Sequence, residues 1–148
     1  MKVLLAADGS HSSEVALQAL IAMARPQETE VRIVHVIEIW PVHIHTPEWD
    51  RERSDARRSM WTRGEEIVIH AARVLEKAGF HVTTAVREGD PRTGLIDAAS
   101  DWHADLIMVG SHGRTGLDRL LMGSVSEAVA LHAKCSVEVI RQAKSKKG

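Results

Sequence analysis

Residues 105–127 run DLIMVGSHGRTGLDRLLMGSVSE, and the fold turns on how they are read. Residues 106–109 form a short, unbroken apolar run, as in a buried strand, and the run stops at Gly110. Gly113, Gly116 and Gly123 punctuate the segment after it. Ser124 stands three residues before Glu127, the S-x-x-E spacing of a capping box at a helix start. A strand, a glycine-rich loop and a helix N-terminus in succession are a recipe for holding an anion. Amides without intrahelical partners point outward there, and the aligned peptide dipoles favour negative charge. Glycine lets the backbone approach a ligand closely. One reading is therefore a phosphate or nucleotide site. The other is a long loop whose glycines serve only its turns.

The rest of the chain repeats the strand-then-helix alternation. Residues 2–7 are uniformly apolar after one charge, which suits a central parallel strand, and Asp8-Gly9-Ser10 makes a turn at its end. A helix is expected from Ser12 or Ser13, with Glu14 in its first turn, a face of Val15, Ala16, Ala19, Leu20 and Met23, and Pro26 as its stop. Residues 31–37 read as the second strand. Thr46-Pro47 starts a long helix that runs to Ala78 and ends at Gly79. Its second half places Ile67, Ala71, Val74, Leu75 and Ala78 on one sheet-covering face. Gly64, which costs about 1 kcal/mol of helix propensity against alanine, marks an expected break. The mixed-sign run from Arg51 to Arg58 is a solvated face, and Trp49 and Trp61 pack on the sheet rim or on a partner. Residues 80–86 form the third strand, with Gly89 after it. Asp90-Pro91 then opens a helix with Leu95, Ile96, Ala98 and Ala99 inward, up to about Trp102. Asp105 opens the fourth strand. A fourth helix from Ser124 to near His132 carries Val125, Ala128, Val129 and Leu131 as its apolar positions, and residues 136–141 make the fifth strand. Strands this short, alternating with helices, predict a mostly parallel sheet covered on both faces with right-handed crossovers.

Composition bounds the function. With 148 residues the chain supports one domain with a sizeable core. A net charge of −1 supplies no global field toward nucleic acid. The lone Cys135 excludes an intrachain disulfide framework, fits a reducing compartment, and precedes a buried strand as a structural thiol. No apolar run reaches transmembrane length, and Asp8 arrives too soon for a signal peptide, so a cytoplasmic, membrane-free protein is expected. His43 and His45 suggest a metal, but no third ligand stands near them. Residues 38–47 are read instead as an extended surface segment or lid, and no metal site is expected.

Gly110, two residues, Gly113, nine residues and Gly123-Ser124 resemble the nucleotide-binding signature of the universal stress protein family. The flanks fit: Ala104-Asp105-Leu106-Ile107 before it and Gly123-Ser124-Val125-Ser126-Glu127-Ala128-Val129 after it. Val3-Leu4-Leu5-Ala6-Ala7-Asp8-Gly9-Ser10 resembles the family's first strand and turn, and Gly89-Asp90-Pro91 its turn into the third helix. The resemblance covers nearly the whole chain and is weakest over residues 38–66. It implies an α/β three-layer sandwich, a five-stranded parallel sheet of order 3-2-1-4-5, of the adenine nucleotide alpha-hydrolase-like (Rossmann-like) kind. The domain spans residues 1–141, with 142–148 a basic, disordered tail. The strand reversal between the first and fourth strands brings Asp8 beside the Gly110 loop.

The same resemblance implies ATP lying across that crevice. Asp8 matches the family acid near adenine and ribose, and Val36 the position whose backbone touches adenine. Gly110 and Gly113 match the loop passing ribose and phosphates. Gly123 and Ser124, followed by Val125 and Ser126, match the phosphate clamp. Arg114 and Arg119 are further cations, able to neutralise phosphate or to face solvent. Asp8 is equally a turn acid, and Ser124 a helix cap; a cap leaves its O–H free for a second partner. Equipment for hydrolysis is sparse: the phosphate-loop lysine motif is absent and no base for an attacking water is assigned, although His112 sits in the loop. The resemblance implies a homodimer joined through the fifth strands, with Val137, Val139 and Ile140 near the seam; Lys134-Cys135-Ser136 stands where the family often carries proline. The expected role is a nucleotide-responsive stress regulator. The alternatives are a slow magnesium-dependent ATPase, with magnesium bridging the phosphates, and a dimeric interaction module that no longer binds nucleotide.

Overall fold

The computed structural model describes residues 1–39, 46–112 and 122–142. Its elements are β1 (Lys2–Ala6), α1 (His11–Met23), a 3₁₀ turn (Pro26–Glu28), β2 (Glu30–Glu38), α2 (Pro47–Lys77), β3 (His81–Gly89), α3 (Pro91–Trp102), β4 (Leu106–Gly110), α4 (Ser124–His132) and β5 (Ser136–Ile140). All strand pairs are parallel, and the order is β3-β2-β1-β4-β5, the doubly wound sheet expected.

Alternation along the strands divides the core into two. Val3, Leu5 and Ala7 of the first strand and turn join Val31 and Ile33 under Leu17 and Leu20 of α1 and Ile67, Ala71 and Leu75 of α2. Leu4, Ala6 and Val34 point the other way, into a layer with Leu95, Ala98 and Trp102 of α3 and Val129 of α4. These are the three layers of the sandwich. At the base of the second layer, the Trp102 ring meets the Arg32 guanidinium 4.8 Å and the Lys2 ammonium 5.3 Å from its centroid.

Local chemistry sets several boundaries away from their expected places. α1 begins at His11 because Ser10, not Ser12 or Ser13, is the cap; its side chain accepts the Ser13 amide. Its buried positions are Ala16, Leu17 and Leu20. Met23, expected on that face, is 58% exposed, and Val15 is only half-buried. In α4, Leu131, expected inward, is 70% exposed, which leaves Val129 as the buried anchor. α2 is continuous through Gly64, so the expected break does not occur. Gly64 is instead where the helix lies tightest on the sheet. A Cβ there would fall 2.8 Å from Cδ2 of His35 and 3.2 Å from Val86.

The first half of α2 is tied to the sheet rim by one carboxylate. Glu88, at the end of β3, accepts from Nε and Nη2 of Arg57 and from the Trp61 indole N–H. Trp61 is thus a rim residue, while Trp49 stands 49% exposed. The Arg57 hydrogen bond, and then that of Trp61, holds the Glu88 carboxyl below its ordinary value of 4.5. A carboxyl depressed by folding contributes stability that is full above its unfolded value and is lost as pH falls through the folded one. The Trp61 indole resonance is therefore expected to hold its position at neutral pH and shift only below about pH 4.5, with Glu88→Gln showing the acid-state position throughout. A resonance that moves between pH 7 and 5 instead would reject this anchor.

Candidate functional site

The site grows from the register at the C-terminal edge of the sheet. β1 pairs β2 with Ala6 opposite Val34, and pairs β4 with Leu5 opposite Met108. Continued past the strand end, these registers set Asp8 level with Val36 on one side and Ser111 on the other. Adjacent strands lie about 4.8 Å apart, so three sequence-distant stretches share one rung. Val36 lies on the α3/α4 face, its methyls 3.1 Å from where a Cβ of Gly94 would stand. The N-terminal turn of α4 lies on that same face, through Val125, Ser126 and Val129.

The Asp8 turn is built by its own side chains. Oδ1 of Asp8 accepts the Ser10 amide at 2.9 Å, and the Ser13 hydroxyl accepts the Asp8 amide at 3.3 Å. Gly9 takes a left-handed φ of +78° between them. Asp8 is half-buried, two residues past the end of β1.

Gly110 lies at the end of β4, with no room for a side chain: a Cβ would come within 2.6 Å of the Ser12 carbonyl oxygen. The Ser12 hydroxyl accepts the next amide but one, that of His112, at 3.1 Å. The Ser111 carbonyl then accepts twice across the loop, from the Gly123 amide at 2.7 Å and from the Ser126 hydroxyl at 3.1 Å. The loop between β4 and α4 is thus pinched shut at its base. Gly113, Arg114 and Arg119 lie outside the described residues, as do His43 and His45.

The capping box expected at Ser124 does not form. Gly123 is the N-cap, it carries no capping side chain, and Ser124 is the first helical residue. The single Ser126 hydroxyl hydrogen is shared between the Ser111 carbonyl and the Gly123 carbonyl, the latter at 2.9 Å. Among the described residues, the amides of Ser124 and Val125 have no hydrogen-bond partner. An uncapped helix start with open amides accepts an anion without displacing anything. Sequence reasoning places Asp8, Val36, Gly110, Gly123, Ser124, Val125 and Ser126 in one crevice; the fold sets Asp8, Val36 and Gly110 at the C-terminal edge of the sheet and ties Gly123 and Ser126 to that edge through Ser111. It misses Ser12 and Ser111, which anchor the loop; the hydroxyl run Ser10-His11-Ser12-Ser13 is the available signal.

A separate hollow of about 440 Å³ opens on the opposite face, between α1 and α2, over Leu5, Ala7, Leu17 and Ile67. None of the predicted site residues lines it. Among the described residues no group of histidine, cysteine, aspartate and glutamate is placed to hold a metal, and no helix is long and apolar enough to cross a membrane. Burial raises the Cys135 thiol above its ordinary value, which disfavours the reactive thiolate.

The universal stress protein family model matches residues 1–141. A universal stress protein of Methanocaldococcus jannaschii, MJ0531, is 31% identical over 143 residues, covering 97% of this chain and 83% of its own. The solved structure of hypothetical protein MJ0577 superposes with a TM-score of 0.82 at 28% identity, covering 97% of both chains. A universal stress family protein of Arabidopsis thaliana, solved with AMP bound, superposes with a TM-score of 0.73 at 19% identity, over 100% of this chain and 95% of its own. With its strand order, its glycine spacing and a family match along nearly its whole length, the chain belongs to the universal stress protein family.

Proposed function

We propose that this chain binds an adenine nucleotide, ATP foremost, across the β1/β4 edge, and acts as a nucleotide-responsive regulator rather than an efficient enzyme. The observation that carries the reading is the shared rung of Asp8, Val36 and Ser111 below an uncapped α4 start. The fit is chemical. The Asp8 carboxylate suits ribose hydroxyls or the base, the Val36 backbone suits the adenine edge, and the Ser124 and Val125 amides suit phosphate oxygens. Gly110 and Gly123 keep the two ends of the loop free of side chains, and by the family resemblance Gly113 and Arg114 are proposed to pass the phosphates; the Ser126 hydroxyl, engaged by the Ser111 and Gly123 carbonyls, holds the loop rather than the ligand. Magnesium would come to this site with the nucleotide rather than on the described side chains, and would neutralise part of the phosphate charge. An AMP-bound family member supports the nucleotide class. The protein is proposed to be cytoplasmic and a homodimer. β5 ends the sheet with β4 as its partner, and such an edge invites a second copy. Val137 and Val139 turn into the α3/α4 layer, so the seam is expected to rest on main-chain pairing flanked by exposed Ser136 and Glu138.

Thermal melts with ATP, AMP and cyclic AMP test the reading. A ligand that binds only the native state adds about 2.7 kcal/mol at a hundredfold excess over its Kd. ATP is expected to raise the melting temperature of the wild type. Asp8→Asn keeps the Ser10 contact while removing the charge, and is expected to weaken ATP by about tenfold, as for loss of a charged hydrogen bond. No stabilisation by any of the three nucleotides would leave the interaction-module reading standing.

A further inference from the structure

Resting on the proposed nucleotide reading, we infer that Ser12 is a positioning residue that locks the two halves of the crevice together. Ser12 sits in the first turn of α1, two residues after the Ser10 cap. That turn comes directly after the Asp8 segment, which is fastened to it through Ser10 and Ser13. One atom of Ser12 reaches the other half: its hydroxyl oxygen accepts the His112 amide at 3.1 Å. His112 is the last described residue before the glycine loop. The approach is reinforced from below by Gly110, whose missing Cβ leaves room for the Ser12 carbonyl and hydroxyl.

The exit of the loop is held from the same point. Ser111, one residue before His112, takes the Gly123 amide and the Ser126 hydroxyl on its carbonyl, and its own amide donates to Ile140 at 3.0 Å. α1, the loop entrance and the start of α4 are therefore joined in sequence: Ser12 to His112, then Ser111 to Gly123 and Ser126. Nothing in this chain of bonds requires Ser12 to touch a ligand. Its effect is to fix the distance between the Asp8 side, which meets the nucleoside, and the α4 start, which meets the phosphates. A ligand spanning both ends senses that distance, whereas a shorter one depends on it less.

The prediction is differential. Ser12→Ala removes the acceptor without adding bulk, and Ser12→Thr retains it. Titration calorimetry with ATP and with AMP is run on the wild type and both variants, alongside amide hydrogen exchange at His112 without nucleotide. Ser12→Ala is expected to weaken ATP by about three- to tenfold, the usual worth of one hydrogen bond, with a smaller loss for AMP. Exchange at the His112 amide is expected to quicken. Ser12→Thr is expected to restore both readouts. A merely structural serine would lower ATP and AMP affinity equally and lower the melting temperature with them. A wild type that binds neither nucleotide overturns the nucleotide reading, and this inference with it. A wild type that binds ATP, beside a Ser12→Ala variant with unchanged ATP-to-AMP preference or unchanged His112 exchange, overturns the positioning role alone.

Discussion

Gly110→Ala is expected to destabilise the fold and to abolish nucleotide binding in the same variant. The new methyl would lie 2.5 Å from the Ser12 hydroxyl, 2.6 Å from its carbonyl oxygen and 2.7 Å from its carbonyl carbon. Two of those atoms are backbone in the first turn of α1, so no rotamer change relieves the clash. Either α1 lifts or the end of β4 bends. Overpacking of this kind costs about 1–3 kcal/mol, and a backbone obstacle belongs at the top of that range. For a chain of this size about 3 kcal/mol corresponds to a fall of roughly 6–12 °C in melting temperature. Displacing α1 also pulls the Ser12 acceptor from the His112 amide, so the loop entrance loosens with the strand end. Gly123→Ala is the control. Its backbone, at φ −63°, suits any residue, and its Cβ would approach the Ser111 oxygen only to 3.1 Å. A small adjustment absorbs that contact, with an expected cost below about 1 kcal/mol. Equal melting temperatures for the two variants would mean that β4 and α1 are not locked at this point.

The contrast between those glycines shows where the sequence stops being legible. Strand order and layer assignment are readable because alternation and brevity of apolar runs are local signals, and the crevice comes from topology once the order is known. From sequence, Gly110 reads as a ligand-facing residue. The structure gives it a second reason, a helix turn contributed by residues about a hundred positions away, and no local pattern records that contact. Ser124 misleads for a related reason. Its spacing to Glu127 fits a capping box, but the Glu127 amide that the serine would take donates instead to the Gly123 carbonyl, so Gly123 occupies the cap position. Which of two adjacent residues caps a helix depends on the loop that delivers it. The α1 face is ambiguous because a small residue such as Ala16 or Ala19 weights several faces equally, so the sheet, not the periodicity, selects Leu17 over Met23. Glu88 carries no sequence signal at all. Its importance comes from the 31-residue length of α2, which brings Arg57 and Trp61 to the end of β3.

Gly64→Val is expected to have an effect comparable to Gly110→Ala, and Gly64→Ala decides its sign. Two terms compete. Alanine improves helix propensity by about 1 kcal/mol over glycine, a gain that would win if the helix stood clear of the sheet. The structure puts the new methyl 2.8 Å from Cδ2 of His35 and 3.2 Å from Val86, both on strands beneath α2. His35 cannot swing away at no cost. It is buried, and its Nδ1 donates to the Ala7 carbonyl at 2.7 Å; a carbonyl only accepts, so Nδ1 carries the proton. Leaving that bond while staying buried costs about 1–3 kcal/mol, more than the propensity gain. Gly64→Ala is therefore expected to lower stability by about 1 kcal/mol net, and Gly64→Val by about 3 kcal/mol, since it adds bulk and gives up part of the propensity term. The damage should reach the crevice, because Ala7, whose carbonyl holds His35, directly precedes Asp8. Chemical denaturation with far-UV circular dichroism would read this out. Helix content should be unchanged and the midpoint lowered in both variants, with ATP stabilisation reduced in the valine form. A midpoint raised in Gly64→Ala would mean that the helix is free to rise from the sheet, and that the tight approach at His35 is no constraint on the site.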